Sequence, residues 1–227
     1  MAEEAEEIAP GARSEDALAG GPLADAPEQW PVESSTDLAH GGIATFRRDR
    51  VRMIDGSVAN REYIVHPGAV AVVLLDDAER VLMLRQYRHP VRHQLWELPA
   101  GLLDKPGEAP LAAAERELYE EAHLKAGRWA VLADYWNTAG SSDEAMRLFL
   151  ARDFSEADGE PFARVAEEAG LVSRWVPRGE LLEAVLAGRV GTGSSVVAAL
   201  ALHAAFTRPG GLDALRPADA PWPARPF

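Results

Sequence analysis

Polar and apolar residues alternate in the first patterned part of the chain, at residues 42–54 (GIATFRRDRVRMI) and 61–66 (REYIVH). Alternation with a period of two is typical of strands that bury one face. The Asp55-Gly56 pair between the two segments is typical of a hairpin turn. We therefore predict a small antiparallel β unit over residues 34–66.

A continuous apolar run, AVAVVLL at residues 69–75, follows the Pro-Gly pair at 67–68. A run of this length without alternation indicates a strand that is buried on both faces. The two aspartates at 76–77 indicate a turn, and residues 81–88 (VLMLRQYR) are expected to return as the partner strand.

Strands and helices continue towards the C-terminus. Further strands are expected near 129–135, 146–151 and 171–177, and helices near 179–187 and 194–206. Strands flanked by helices on both sides predict an α/β fold in which a mixed sheet is covered on both faces. From Pro209 onward the chain is rich in proline and is expected to be irregular.

A predicted helix that begins at Pro110 carries the most informative pattern. Its apolar stripe, which must face a core, comprises Leu111, Ala114, Leu118 and Ala122. Because a helix turns about 100° per residue, Glu121 lies roughly 60° from Leu118 and Glu117 roughly 100° away, on the flank that borders the buried side. Glu120, roughly 160° away, is expected to be the most exposed of the three glutamates.

Two carboxylates four residues apart at the border of a core need a compensating cation, because like charges repel more strongly as solvent is removed. Oxygen ligands in a chain without cysteine favour Mg²⁺ or Mn²⁺ over Zn²⁺. A salt-bridged surface helix explains the same periodicity equally well. Periodicity alone leaves both interpretations open.

Composition limits the possible functions. The chain has 227 residues, of which 47% are hydrophobic, enough for one domain with appendages. Its formal charge is -13, and nine acidic residues against one arginine make residues 1–33 a predicted disordered acidic tail. We expect no binding of nucleic acid, since no basic surface is evident, and no membrane span. The absence of cysteine fits a cytoplasmic location.

Residues 101–124 resemble the Nudix box, a motif built from glycine, arginine and glutamates. The matching residues are Gly101, Glu108, Arg116, Glu117, Leu118, Glu120, Glu121 and Leu124. Two positions depart from the motif, because six residues rather than five separate Gly101 from Glu108, and His123 stands in place of a glycine. We expect the turn before Pro110 to absorb the extra residue, and His123 to take the left-handed conformation of a helix cap.

Further segments are similar to the ADP-ribose pyrophosphatase branch of the Nudix superfamily. These segments are HPGAVAVV at 66–73, RQYRHP at 85–90, WELPAG at 96–101 and SDE at 142–144. The resemblance implies a Nudix-type α/β/α sandwich over residues 67–207, a homodimer that exchanges the N-terminal β unit, and a Pro-rich tail at 208–227. It also implies hydrolysis of the pyrophosphate bond of ADP-ribose to AMP and ribose 5-phosphate, with two to three Mg²⁺ or Mn²⁺ ions per site.

The same resemblance assigns roles to the residues of the box. Glu117 and Glu121 would be the main metal ligands, beside the backbone carbonyl of Ala100. Glu120 would contribute to a further metal ion. Arg116 would act in catalysis by orienting the carboxylates through salt bridges.

Four residues outside the helix are candidates by the same resemblance. Glu144 matches the loop glutamate that acts as catalytic base, although residues 142–144 also read as a polar loop that caps the next strand. Arg88 would contact the substrate, or is a surface strand residue. Arg61 would reach the adenine end, or simply opens a strand. Glu97 would bind the nucleoside, or only orders the turn that follows it.

The box specifies a pyrophosphate and not its substituents. Another nucleoside diphosphate derivative, such as a nucleotide sugar or a dinucleotide, is therefore an alternative substrate. A non-catalytic ADP-ribose sensor is a further alternative. The presence of every box carboxylate and of Glu144 argues against the sensor.

Overall fold

The structure, a computed structural model, describes residues 23–159 and 170–223. Most of the predicted acidic tail, residues 1–22, lies outside these ranges, and residues 23–31 contain no helix or strand. The chain forms two compact units. The first holds the described residues up to Gly41 together with Thr45–Tyr63, and the second holds Gly42–Ala44 and the residues from Ile64 onward. Within the described ranges, no helix combines the length and the apolar character needed to cross a bilayer.

The first unit is built on a three-stranded sheet in the order β1-β2-β3, formed by Val32–His40, Thr45–Arg52 and Val58–Val65. The predicted hairpin is confirmed: Gly56 has a φ of 82°, and the Asp55 side chain accepts the Ser57 backbone N–H at 2.9 Å. Strand β1 was not predicted and begins at Val32, before the expected boundary at 34. Every residue of β1 is exposed, so the strand has no alternating pattern to detect.

The second unit contains a five-stranded sheet in the order β11-β8-β9-β4-β7. These strands are β4 (Ala69–Leu74), β7 (Ala100–Leu102), β8 (Leu124–Trp136), β9 (Ala145–Glu156) and β11 (Arg216–Pro217). Strands β4 and β9 run parallel and the other neighbours run antiparallel, so the sheet is mixed, as predicted. All six residues of β4 are buried, which confirms the strand with two buried faces.

The expected pairing of residues 81–88 with this buried strand was wrong. Strand β5 (Arg80–Arg88) instead lies in a separate sheet, between β10 (Val172–Pro177) and β6 (His93–Glu97). The turn at Asp76 does form, and its backbone N–H donates to the Arg80 carbonyl at 3.0 Å. Strands β7 and β9 occupy both edges of β4. The returning chain therefore forms an isolated β-bridge between Leu75 and Val81 and then continues in the three-stranded sheet β10-β5-β6.

Helices cover both faces of the five-stranded sheet, which confirms the α/β/α sandwich. The helices are α1 (Pro110–Ala122), α2 (Arg178–Leu186) and α3 (Gly193–Thr207). Val70 and Val72 belong to the same buried cluster as Leu118 of α1. Ala71 of β4 belongs to the opposite cluster, with Leu202 of α3. Alternate residues of one strand therefore pack against different helices.

The C-terminal segment corrects the expectation of an irregular chain from Pro209. It forms a 3-10 turn at Gly211–Ala214 and then strand β11, which pairs with β8. The buried Arg147 donates to the carbonyl of Ala220 at 2.8 Å and to the carbonyl of Pro221 at 3.1 Å. Residues 211–221 are thus packed as part of the second unit.

The buried hydroxyl of Ser195 joins helix α3 to strand β6. Ser195 is fully buried and donates to the Trp96 carbonyl at 3.0 Å. Ser195 Oγ also accepts a hydrogen bond from Thr192 Oγ1 at 2.8 Å, so we expect Ser195→Ala to lower the free energy of unfolding by about 1–3 kcal/mol, the net value of two hydrogen bonds. Urea unfolding measures this, with Ser194→Ala on the same turn as control. Equal stability of the two variants would contradict the assigned bond.

Candidate active site

Helix α1 forms as its sequence predicts. Pro110 occupies the first turn, where its missing N–H is not needed. The helix ends at His123, which has a φ of 55° and donates its backbone N–H to the carbonyls of Leu118 and Tyr119. The left-handed cap expected at this position is therefore present, with histidine in place of glycine.

Glu117, Glu120 and Glu121 of α1 are buried to different degrees, in the order that the helical angles predicted. Glu121 is 9% exposed, and the side chains of Glu117 and Glu120 are 12% and 28% exposed. Glu121 Oε2 accepts the backbone N–H of Ala100 on β7 at 2.9 Å. The helix and strand β7 are therefore joined at the carboxylate itself.

Gly101 leaves the space that Glu117 uses. A Cβ atom at position 101 would overlap the Oε1 and Cδ atoms of Glu117. The glycine of the box is thus needed here for close approach, not for an unusual backbone angle. It lets the Glu117 carboxylate pass directly over the strand.

Arg116 is the centre of an ion-pair network. Its Nε and Nη2 donate to the two oxygens of Glu108, each at 2.9 Å. Its Nη1 contacts Glu117, and lies 3.4 Å from Glu120. The guanidinium lowers the pKa of Glu108, and the pKa of Arg116 is raised by the same contact.

The extra residue of the box does not displace Glu108. The loop before the helix turns at Gly107, whose φ is 78°, and the Glu108 backbone N–H donates to the Lys105 carbonyl at 3.1 Å. This turn takes up the insertion, as expected, and Glu108 still reaches Arg116 with two hydrogen bonds.

The carboxylate group of α1 fits a hard divalent cation by its chemistry. Burial raises the pKa of Glu117 although Arg116 contacts its carboxylate, so a further cation would stabilise its charged form. Carboxylate and carbonyl oxygens are the ligands that Mg²⁺ and Mn²⁺ prefer. Within the described residues, no three acidic, histidine or cysteine side chains already form a ligand cage. The guanidinium of Arg116 lies among the carboxylates instead.

We expect Arg116→Gln to lower the free energy of unfolding by about 1–3 kcal/mol at low ionic strength, because three partly buried carboxylates lose their shared cation. Mg²⁺ should restore part of this loss by binding the same oxygens. Urea unfolding in EDTA and in Mg²⁺ measures both effects. The control is Arg174→Gln, which breaks an exposed pair with Glu180 and should change little. Equal losses in EDTA and Mg²⁺ would count against a cation site.

Glu144 closes the hairpin between β8 and β9. Its Oε2 accepts a hydrogen bond from Asn137 Nδ2 at 2.9 Å, and its backbone N–H donates to Ser142 Oγ at 3.1 Å. Gly101 lies opposite Arg147 across β4, and Glu144 comes three residues before Arg147. At ordinary strand spacings this separates the backbones of Glu144 and Gly101 by about 14 Å. Glu144 therefore starts from a different part of the sheet from the β7 segment that Glu117 and Glu121 contact.

Two of the candidate substrate residues pair with each other, and the third lies in the other unit. Arg88 Nε and Nη2 donate to Glu97 Oε2 at 2.9 and 2.8 Å. In the first unit, Arg61 donates to the Asn60 carbonyl at 2.9 Å and contacts Met53 Sδ at 3.6 Å.

A model of the NUDIX domain family matches residues 65–196, more than half of the chain. The chain belongs to the Nudix family. It is 44% identical over 193 residues to an ADP-ribose pyrophosphatase of Mycobacterium tuberculosis, covering 85% of this chain and 91% of that one. An ADP-ribose pyrophosphatase of Bacillus subtilis is 36% identical over 133 residues, covering 56% of this chain and 71% of its own.

A solved structure supports the Nudix fold. The crystal structure of an ADP compounds hydrolase superposes with a TM-score of 0.67 at 18% identity, covering 81% of this chain and 97% of that one. At this identity the likeness concerns the fold. Nudix enzymes generally use divalent metal ions, which agrees with the oxygen-rich surface of α1.

The sequence did not point to the partners of Glu144 in this Nudix protein. Asn137, directly after β8, and His66, in the loop before β4, both approach Glu144, and His66 Nδ1 lies 4.0 Å from Glu144 Oε1. Neither residue has a spacing that marks it as part of a site. Only the pairing of β8 with β9 places Asn137 opposite Glu144.

Proposed function

We propose that this Nudix protein hydrolyses the pyrophosphate bond of ADP-ribose to AMP and ribose 5-phosphate. The observation that carries the proposal is the arrangement on α1, where Glu117 and Glu121 reach across β7 at Gly101 and Ala100. The likeness to ADP-ribose pyrophosphatases over most of the chain supports the choice of substrate.

The carboxylates of α1 would hold two to three Mg²⁺ or Mn²⁺ ions. Glu117 and Glu121 are the main ligands, beside the Ala100 carbonyl, and Glu120 serves a further ion. When bound, the ions screen the charge of the pyrophosphate and lower the pKa of a bound water. Arg116 holds the carboxylates of Glu117 and Glu120 in place through its guanidinium.

Glu144 is the proposed catalytic base. It accepts a proton from the attacking water while the water oxygen bonds to phosphorus and the bridging P–O bond breaks. A positioned base contributes about 10²–10⁴-fold to such a rate. The backbones of Glu144 and Gly101 are about 14 Å apart, which leaves room for a pyrophosphate between the Glu144 carboxylate and the carboxylates of α1.

The substrate-binding residues are proposed to be Arg88, Glu97 and Arg61. The guanidinium of Arg88 suits a phosphate or ribose oxygen, and its ion pair with Glu97 fixes its direction. Glu97 would accept hydrogen bonds from the nucleoside. Arg61 would contact the adenine end from the N-terminal β unit.

The protein is further proposed to act as a homodimer in the cytoplasm, in which each copy contributes its N-terminal β unit to the other. Alternating exposure along β2 leaves this small sheet without a core of its own. Light scattering on the purified full chain measures the mass directly. A monomer that retains full activity would contradict the exchange.

Release of AMP from ADP-ribose by the purified protein with Mg²⁺ or Mn²⁺ tests the proposed reaction. A panel of nucleotide sugars and dinucleotides run beside ADP-ribose tests the substrate class. Faster hydrolysis of another nucleoside diphosphate derivative would move the assignment to that compound. Binding of ADP-ribose without any hydrolysis across the panel would support a sensor in place of an enzyme.

A further inference from the structure

Asn137 and Glu144 face each other at the end of the β8–β9 hairpin. The register pairs Trp136 with Ala145, and the next pair outward is Asn137 with Glu144, joined by the Asn137 backbone N–H and the Glu144 carbonyl at 3.0 Å. Residues on opposite strands in register lie on the same face of a sheet. The two side chains therefore meet directly, and the 2.9 Å hydrogen bond from Nδ2 to Oε2 joins them.

Asn137 is the side chain that donates to the Glu144 carboxylate among the residues that the structure describes. His66 Nδ1 lies 4.0 Å from Oε1 and already accepts the Gly68 backbone N–H at 3.1 Å. The Tyr135 hydroxyl is buried and has no hydrogen-bond partner in the described ranges. Burial and the nearby charge of Glu144 raise the pKa of Tyr135. Neither residue holds the carboxylate by a hydrogen bond.

The hydrogen bond from Asn137 makes the two carboxylate oxygens of Glu144 unequal. Oε2 is fixed by Asn137, whereas Oε1 accepts no hydrogen bond from any described residue. A carboxylate with one oxygen held and the other available is oriented for taking a proton from water. The carboxamide thus fixes one oxygen of Glu144 and leaves the other available.

Gly193, the first residue of α3, makes room for the Asn137 carboxamide. A Cβ atom at position 193 would lie 3.0 Å from Asn137 Oδ1, closer than ordinary contact. A larger residue here would push the carboxamide away from its present place. With any larger residue at position 193, the Asn137 carboxamide would have to shift by a few tenths of an ångström.

We propose that Asn137 is a positioning residue that orients Glu144 for catalysis, and that Gly193 keeps the Asn137 carboxamide in place. The inference rests on the proposed role of Glu144 as the base. It adds two residues, from the end of the β8–β9 hairpin and from α3, that act through Glu144 and not on the pyrophosphate. A positioning role predicts a loss in kcat with little change in KM, because substrate binding does not depend on the direction of Oε1.

Asn137→Asp is the sharpest test, because it keeps the shape of the side chain and replaces the donor by a second carboxylate. We expect kcat for ADP-ribose to fall about tenfold, part of the contribution of a positioned base, with KM within about twofold. Gly193→Ala should lower kcat in the same direction by a smaller factor. Ser141→Ala, whose hydroxyl makes no hydrogen bond with described residues, is the control in the same loop.

A double-mutant cycle separates positioning from a general loss of structure. In a Glu144→Gln background, Asn137→Asp should produce no further loss in kcat, since the group that it orients is already gone. Full additivity of the two losses would overturn the inference. If Glu144→Gln itself retains full activity, the proposed base is wrong. If Glu144→Gln is inactive but Asn137→Asp keeps full kcat, only the positioning role fails.

Discussion

Glu121→Gln is expected to lower kcat for hydrolysis of ADP-ribose by at least about 10²-fold, since a few kcal/mol of lost charge stabilisation corresponds to about two decades in rate. The substitution removes the negative charge of the most buried glutamate on α1. It keeps an oxygen that can still accept the Ala100 backbone N–H. The fold should therefore survive while cation binding is lost.

Glu115→Gln is the matched control for this variant. Glu115 is an exposed residue on the same helix and makes no ion pair with any residue that the structure describes. Steady-state kinetics at saturating Mg²⁺ and urea unfolding should be measured on both variants. A Glu121→Gln protein that turns over ADP-ribose at the normal rate would disprove the assignment of the cation site to α1.

Gly101→Ala should lower kcat/KM by about 10–100-fold, the usual effect of disturbing groups that hold a metal ligand. The new Cβ would occupy the place of the Glu117 carboxylate, and this carboxylate is the movable end of a long side chain. The side chain should swing away from β7 without unfolding the protein. We therefore expect a loss of activity and of Mg²⁺ affinity at nearly unchanged stability.

Gly179→Ala controls for the addition of a methyl group to a glycine. No atom lies within 4 Å of a Cβ built at Gly179, so this variant should keep both activity and stability. Mg²⁺ titration, followed by activity and by the shift in Tm, measures the affinity of each variant. Normal Mg²⁺ affinity in Gly101→Ala would show that Glu117 does not depend on the space above residue 101.

Much of the fold around α1 could be predicted because the signal is local. The apolar stripe predicted which face of α1 is buried. The angles from Leu118 predicted the order in which the glutamates at 117, 120 and 121 are buried. The unbroken apolar run predicted a strand with two buried faces. In each case, the secondary structure and its burial depend on residues that are close together in the sequence.

Other features depend on partners far away in the sequence. The sequence of β5 shows that it is a strand, but it does not show which strand it pairs with. Both edges of β4 are already occupied by other strands. Strand β1 is exposed along its whole length, so hydrophobic patterning could not reveal it. Asn137 becomes notable only when β8 and β9 pair in one particular register. Spacing along the chain contains none of this.

The parallel pairing of β4 with β9 has a consequence for synthesis of the chain. The register joins Ala69 to Met146, and the His66 backbone N–H bonds Asp143 at the same separation of 77 residues. During translation, β4 emerges long before its partner does. Until β9 is made, one edge of this apolar strand stays unpaired, which favours association with other chains. We expect its folding to be slow, and fragments that end before β9 to aggregate.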